Sequence, residues 1–447
     1  MSPVSETHCT DIAQPDAFEA RVYNFGCRLN HAEGEVIKAR LAEAGREDAL
    51  VVHSCAVTQE AERQARQLVR KLHREHPDRP IIVTGCAAQI HPERFSVLPG
   101  VERVLGNHEK LDAQFYRRSD DQAIQQAEVW VRDIMTLKES ANHLVPVMDG
   151  RARAFLEIQN GCNHRCTFCV IPFGRGPNRS VPLGTIVEQA RLMVESAYAE
   201  IVLTGVDMTG YGQDLPGTPS LGETVQRLLT LVPGLGRLRL SSLDVAEIDP
   251  VLFRLLAEEP RIMPHVHLSL QAGSAMILKR MKRRHTPEDA ERFCRDLRAA
   301  RPDVVFGADI IAGFPTETEE MFKDSLRMVE ALDLTLLHVF PFSPREGTPA
   351  ARMPQLPKAV RKERAQALRH LGRDRLADYL RRGVGRQEEI LAESPHKGRT
   401  NHYIPVALEA PLEPGRVHRV TITGINAEAT EWIGAARACN DWQGGSQ

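Results

Sequence analysis

Gly161-Cys162-Asn163-His164-Arg165-Cys166-Thr167-Phe168-Cys169 decides what this chain holds and how it is organised. Thiolates are the protein ligands that iron–sulfur clusters prefer. A cubane cluster has four irons, and the C-x3-C-x2-C run offers three sulfurs. One iron is left open, where a small molecule can bind and receive an electron. The alternative is zinc, which usually takes four protein ligands in paired C-x2-C units. No second such pair occurs in the sequence.

Outward from this run, the chain alternates between strands and helices. Downstream, Ala154–Gln159, Glu200–Thr204, Arg237–Ser241, His265–Leu270, Val304–Ile311 and Leu334–Phe340 read as strands with helices between most of them. Six βα units predict a parallel, partial (βα)6 barrel, too few for a closed eight-stranded one. Upstream, Arg21–Cys27, Ala49–Cys55 and Pro80–Cys86 read as strands. Asn30 is placed as the N-cap of the first helix, with Glu33 three residues on. Ala61, Ala65, Leu68, Val69 and Leu72 mark the buried face of a helix over Glu60–Glu75. The stretch from about 115 to 148 is polar and weakly periodic, and reads as an irregular connection. Lys358–Arg386 is a basic helical stretch with ten Lys/Arg against three Asp/Glu. Short alternating runs beyond it, such as His402–Leu408 and Arg416–Ile422, predict a small β-barrel.

Each of the three N-terminal strands runs into a cysteine: Cys27, Cys55 and Cys86. Ligand sites in parallel sheets gather at the carboxyl ends of strands, so these three should converge at one edge. They suit a second three-thiolate cluster, with glycine beside Cys27 and Cys86 allowing close approach. Zinc would need a fourth ligand, for which His53 is available. Cys9, Cys294 and Cys439 stand alone and read as non-ligands. Nine cysteines in 447 residues argue against a disulfide framework and for a reducing, cytoplasmic setting. A net charge of −2 removes any global basic signature. No apolar run reaches membrane-span length.

The two cysteine sets carry a resemblance. The chain resembles the radical S-adenosylmethionine (SAM) methylthiotransferases, most closely the bacterial branch acting on N6-threonylcarbamoyladenosine in tRNA. The supporting runs are Val83-Thr84-Gly85-Cys86-Ala87-Ala88-Gln89, Leu203-Thr204-Gly205-Val206, Gly307–Pro315 and, above all, His338–Ala350. The resemblance implies three units: residues 18–145 around an auxiliary cluster, a radical SAM core over 148–378 and a C-terminal TRAM β-barrel over 383–440. It implies two [4Fe-4S] clusters, ligated by Cys27, Cys55 and Cys86 and by Cys162, Cys166 and Cys169. The latter, catalytic set would bind SAM at its open iron and cleave it to a 5′-deoxyadenosyl radical. That radical takes hydrogen from C2 of the adenine, next to the anticodon, and a methylthio group joins there. Implied partners are tRNA, SAM, an electron donor such as flavodoxin or ferredoxin, and a sulfur donor, with no membrane.

Within that scheme Thr204, Gly205, Val206, Gln271, Asp309 and Gly313 are the SAM candidates, being polar or small residues near strand ends. Lys279–Arg284, with five positive charges in six residues, suggests RNA contact over a merely solvated face. Arg175 and Arg179 suit either substrate or structural ion pairs. Related branches act on isopentenyladenosine in tRNA or on a ribosomal-protein aspartate. A reading of another class is a non-catalytic iron–sulfur protein that binds RNA or senses redox state.

Overall fold

The computed structural model describes residues 21–118, 127–137 and 152–436. The first sheet runs in sequence order: β1 (Arg21–Asn24), β2 (Leu50–Ser54), β3 (Ile81–Gly85), β4 (Val101–Leu105) and β5 (Glu128–Trp130). All its pairings are parallel. Helices cover both faces, as a parallel sheet requires. Ala65, Val69 and Leu72 of the helix Gln59–Glu75 pack on one side with Val83 and Phe95. Ile37 and Leu41 of the helix Arg28–Glu43 pack on the other with Val51 and Ile82. The residue expected to cap that helix, Asn30, lies inside it, and Cys27 is the N-cap. Asn30 is drawn inward to donate to the Phe25 and Ser54 carbonyls at 2.7 and 3.2 Å. The stretch expected to be irregular contributes β5, an edge strand of three residues, too short to show a period. Its remainder lies largely outside the described residues.

The second layer holds β6 (Arg153–Asn160), β7 (Arg179–Ser180), β8 (Glu200–Gly205), β9 (Leu238–Leu240), β10 (His265–Gln271), β11 (Val305–Ala312) and β12 (Leu334–Pro341). Two sheets, ordered β7-β6-β8-β9 and β10-β11-β12, are joined by bridges from Leu238 to Ile262 and Leu243 to Leu268. Six of these strands run parallel and form the expected partial barrel, with β7 antiparallel to β6. Side chains alternate between faces of a strand. Leu156, Leu203, Leu240, Leu268, Ala308 and Val339 meet the surrounding helices in one core. Glu157, Thr204, Arg239, His267, Asp309 and His338 therefore face the barrel interior.

The barrel floor is ionic. Glu200, fully buried, receives Arg153 at 2.7 Å, Arg239 at 2.8 Å and Arg237 at 3.0 Å. Tyr403 seals this floor from the C-terminal unit. Its ring stacks on His265 at 5.4 Å and lies 4.8 Å from the Arg239 guanidinium.

That unit follows the helix Lys358–Gly383. It is a closed barrel of β13 (Gln387–Ser394), β14 (Lys397–Thr400), β15 (Pro405–Leu408), β16 (Val417–Ile425) and β17 (Trp432–Ala436). Trp432 fills it, donates to the Leu380 carbonyl at 2.8 Å and presses on Gly383. A Cβ on Gly383 would stand 2.1 Å from the indole, so helix and barrel form one packed body. Truncation after Arg382 would strip Trp432 and Tyr403 and expose the ionic floor. It is thus a poor test of RNA binding alone.

Glu200→Gln should cost about 3–5 kcal/mol, because it leaves the buried Arg237 and Arg239 without their counter-ion and Arg153 with Glu393 alone. Burial pushes the Glu200 carboxyl up, but Arg239 and Arg153 outweigh it and hold it well below the usual range. Its stabilising contribution is therefore complete above the unfolded value of about 4.3 and is lost as pH falls below it. Thermal unfolding should show the gap between wild type and variant nearly constant from pH 7 to about pH 4.3 and narrowing only as pH is taken lower, towards 2.

Candidate active site between two cysteine triads

The three N-terminal cysteines meet where the sheet topology requires. Cys27 follows β1, Cys55 follows β2, and Cys86 opens the short helix Cys86–Ile90 after β3. Cys55 responds to the charges of Cys27 and Cys86, and burial pushes its thiol up to about 12. Gly26 has φ +93°, and a Cβ there would stand 2.6 Å from the Cys55 sulfur. Gly85 serves a different purpose: at φ +97°, a Cβ would meet the Ser54 carbonyl at 2.2 Å. His53 is unavailable as a fourth ligand. Its Nδ1 faces Asn24 Oδ1 at 3.0 Å and its Nε2 faces Lys110 Nζ at 3.1 Å. Three thiols with no further protein ligand among the described residues fit a cluster with an open iron better than zinc.

A buried polar network underlies this triad. Arg175 donates to the Cys86 sulfur at 3.1 Å and to Glu33 Oε2 at 2.7 Å. Lys110, fully buried, donates to Glu33 Oε2 at 2.8 Å and to Asn107 Oδ1 at 2.6 Å. Asn107 also donates to the Gly174 carbonyl at 2.6 Å. Burial opposes ionisation of Glu33, but Arg175 and Lys110 hold its carboxyl well below the usual range. Burial lowers Lys110. Of these residues the sequence singled out Asn30 and Glu33 only as helix caps, and Arg175 as one of two alternatives. The structure decides for ion pairing at Arg175. Arg179 likewise turns inward, donating to the carbonyls of Pro177 and Arg175.

The second triad lies on the loop after β6. Gly161 has φ +73°, and a Cβ there would be 1.8 Å from the Pro177 carbonyl. Neighbouring elements anchor the loop: Thr167 N donates to Met281 O at 3.1 Å and Ala350 N to Thr167 O at 2.9 Å. The Cys162 thiol donates to Asp207 Oδ2 at 3.4 Å. His164 Nε2 stands 3.0 Å from Asp207 and 3.4 Å from Glu247. Arg283 pairs with Asp244 at 2.9 Å and Arg284 with Glu247 at 2.7 Å. The basic run expected to meet RNA thus spends two of its arginines bracing this loop, and Arg280 donates to the Thr316 carbonyl.

The triads face one another. Cys169, pushed up to about 12 chiefly by burial, feels the charge of Cys86. Gly174, on the helix directly after the second triad, packs so closely that a Cβ would lie 3.1 Å from Cys86 Cβ.

The SAM candidates divide. Thr204 is buried at the end of β8. The amides of Val206 and Asp207 both donate to Gln159 Oε1, at 2.9 and 2.7 Å, so this turn is already stapled by a residue the sequence did not single out. Gly205 makes room for that same side chain. Gln271, at φ +68°, ends β10 where the register slips. Asp309 lies inside the barrel, 3.1 Å from His267 and 3.2 Å from His338. The open side of Gly313 faces Arg361 of the long helix, not the barrel chamber, and a Cβ would sit 2.6 Å from Arg361 Cγ. Helix packing explains that glycine.

Comparison with known proteins agrees with this geometry. Residues 156–329 match the Radical SAM superfamily, and residues 19–106 match a family described as uncharacterized protein family UPF0004. The threonylcarbamoyladenosine tRNA methylthiotransferase MtaB of Rickettsia prowazekii is 49% identical over 415 residues, 93% of this chain and 97% of that protein. The enzyme of the same name from Bacillus subtilis is 34% identical over 90% of this chain and 92% of its own length. A tRNA-2-methylthio-N(6)-dimethylallyladenosine synthase from Novosphingobium aromaticivorans is 34% identical over 85% of this chain and 87% of its own. The radical SAM methyltransferase TsrM from Kitasatospora setae shares the fold, with a TM-score of 0.51 at 17% identity over 72% of this chain and 74% of that one. Fold and triads define a radical SAM protein. The chain belongs to the tRNA methylthiotransferase family, whose members use SAM and [4Fe-4S] clusters.

Replacing Glu33 with Ala should destabilise the N-terminal unit by about 3–5 kcal/mol, since Arg175 and Lys110 would remain buried without their carboxylate. Urea denaturation should show this loss, with Glu33→Gln intermediate because it keeps an acceptor.

Proposed function

We propose that this chain adds a methylthio group to C2 of N6-threonylcarbamoyladenosine at position 37 of tRNA. The observation that carries this reading is 49% identity, over nearly the whole of both chains, to an enzyme named for that substrate. Two cysteine triads packed close to one another support it physically. The aspartate-modifying and non-catalytic readings have no comparable support. Identity to the dimethylallyladenosine enzymes is lower, at 34% and below.

In this reading Cys162, Cys166 and Cys169 hold the cluster that binds SAM, and Cys27, Cys55 and Cys86 hold the auxiliary one. A SAM-bound [4Fe-4S] cluster supplies one-electron cleavage of the sulfonium, chemistry that belongs to the cofactor. The protein's part is placement. The Glu33–Arg175 pair fixes the two triads relative to each other, and the Gln159-stapled turn with Thr204 shapes the wall above β8. Gln271 and Asp309 remain SAM candidates of this scheme. Units 18–145, 148–378 and 383–440 divide the work, the last being a TRAM barrel that binds tRNA. A cytoplasmic flavodoxin or ferredoxin would deliver the electron, and a separate donor the sulfur. Among the described residues no helix is long and apolar enough to cross a membrane.

Anaerobic reconstitution should give about eight irons per chain, four per cluster. Alanine at Cys162, Cys166 and Cys169 should halve the iron and abolish SAM cleavage. Alanine at Cys27, Cys55 and Cys86 should halve the iron yet leave 5′-deoxyadenosine formation detectable. A wild-type value near four would remove the auxiliary cluster. Mass spectrometry of tRNA nucleosides from a deletion strain tests the substrate. The strain should lack 2-methylthio-N6-threonylcarbamoyladenosine, and loss of the methylthio-isopentenyl nucleoside instead would reassign the enzyme.

A further inference from the structure

Inside the barrel, at mid-height, three strands place His267, Asp309 and His338 together. Asp309 Oδ1 stands 3.1 Å from His267 Nε2 and 3.2 Å from His338 Nδ1, and the two imidazole rings lie 4.6 Å apart. Burial pushes the Asp309 carboxyl up, but the hydrogen bonds from both histidines outweigh it and hold it well below the usual range. The ionised carboxylate thus takes a proton-bearing nitrogen from each ring.

The histidines differ in what remains. His267 is buried, and its ring fits because Gly307 has no side chain: a Cβ there would be 2.6 Å from His267 Nδ1. The His338 side chain is 58% accessible, with Nε2 turned away from Asp309. It lies on the inward face of β12, since neighbouring Leu337 meets the long helix at Gly372 and Val339 lies in the core. Two residues nearer the mouth on that same face is Phe340, 37% exposed. Exposed aromatic surface beside an accessible imidazole inside a barrel is not explained by packing. Below this level the floor is closed by Tyr403, whose ring lies over the Arg239 guanidinium, and by the Glu200–arginine cluster beneath it.

We propose that Phe340 and His338 form the subsite that reads the N6 substituent of the target adenosine: Phe340 stacks on the purine, and His338 Nε2 hydrogen-bonds the threonylcarbamoyl group. This rests on the functional reading above and goes beyond it by naming the residues that choose the nucleoside. Bases stack readily on aromatic side chains. Two residues of strand rise by roughly 7 Å. From N6 to the carboxylate carbon there are four bonds, each of roughly 1.5 Å or less, and the carboxylate oxygens extend the group further. A purine at the level of Phe340 therefore brings this substituent to His338. With Nδ1 turned to Asp309, His338 Nε2 is the ring atom that faces the substituent's hydroxyl and amide N–H. An isopentenyl group offers neither contact and would leave the imidazole without a partner, which is how a polar site rejects an apolar analogue.

The test uses reconstituted full-length wild type, His338→Leu and His338→Gln. Anticodon stem-loop RNAs would carry either the threonylcarbamoyl or the isopentenyl nucleoside. Iron content and melting temperature report folding, and 5′-deoxyadenosine formed without RNA reports the SAM site. His338→Leu should lower kcat/KM on the threonylcarbamoyl RNA about 10–100-fold, the range for one hydrogen bond to a charged or strongly polar group. The preference over isopentenyl RNA should shrink by the same factor, and His338→Gln should recover part of it. An unchanged preference in a folded His338→Leu protein overturns the proposal alone. So does loss of RNA-independent SAM cleavage, which would assign His338 to the cofactor. A wild type that modifies the isopentenyl RNA instead overturns the functional reading, and this proposal with it.

Discussion

The buried pair of Glu33 and Arg175 ties the two halves of the site together. Glu33 comes from the helix after Cys27, and Arg175 ends the helix after Cys169. Their side chains are 3% and 2% accessible, so both charges pay nearly full desolvation. That penalty is offset only if every polar atom finds a partner. Arg175 spends its fork on Glu33, Asn30 and the Cys86 sulfur, while Lys110 takes the remaining lone pairs of Glu33. A planar, rigid guanidinium suits this role, because its fork fixes the directions of its hydrogen bonds to Glu33, Asn30 and the Cys86 sulfur, which a rotating ammonium does not. The distance between the triads is thereby set by hydrogen-bond geometry, which tolerates tenths of an ångström, and not by apolar packing alone.

The sequence made the strands legible because parallel sheets bury both faces and leave runs of Val, Ile and Leu that are hard to misread. The triads were legible for different reasons: Cys162, Cys166 and Cys169 by their C-x3-C-x2-C spacing, and Cys27, Cys55 and Cys86 because three successive strands each end in a cysteine. The network beneath them was not. A helix's early Asn and Glu usually cap it, and nothing in Arg28–Glu43 says that Asn30 and Glu33 turn towards the sheet and not towards their own amides. Lys110 sits in a short 3-10 turn, where lysine is normally solvated, yet it is fully buried. Burial of a charge depends on partners scattered across more than a hundred residues, and periodicity carries no trace of them. Gly313 has a packing role that was hidden for a similar reason. Its glycine is needed by a helix that arrives almost fifty residues later.

The arginines show the same effect. The long helix Lys358–Gly383 looks like a polyanion-binding stripe, but several of its guanidiniums face inward. Arg361 donates to the Phe342 carbonyl, Arg369 to the Val339 carbonyl, and Arg364 pairs with Glu317. β12 is an edge strand, and edges need cover. Here the helix packs across it and its arginines satisfy carbonyls at its end, so a basic composition does the work of a missing strand. Other cations of the same stretch, Lys358, Lys362, Arg373, Arg381, Arg382 and Arg386, stay exposed, and on the C-terminal barrel the exposed Arg416 and Arg419 pair with Glu413 and Glu389.

That placement constrains how substrate and chemistry meet. Tyr403 is held in the barrel floor by His265, Arg153, Arg239 and Arg399, and Trp432 is locked against Leu380 and Gly383. The C-terminal barrel is therefore not a tethered arm that searches for RNA. It is fixed at the amino end of the (βα)6 strands, while the cysteine triads sit at their carboxyl end. In the proposed scheme, an RNA bound by the former would have to pass along the outside of the core to present a base at the latter. A rigid separation of this kind selects by distance as well as by contact. A nucleoside that stacks well but lies at the wrong place on the RNA never reaches the chamber, whatever its affinity for the residues inside.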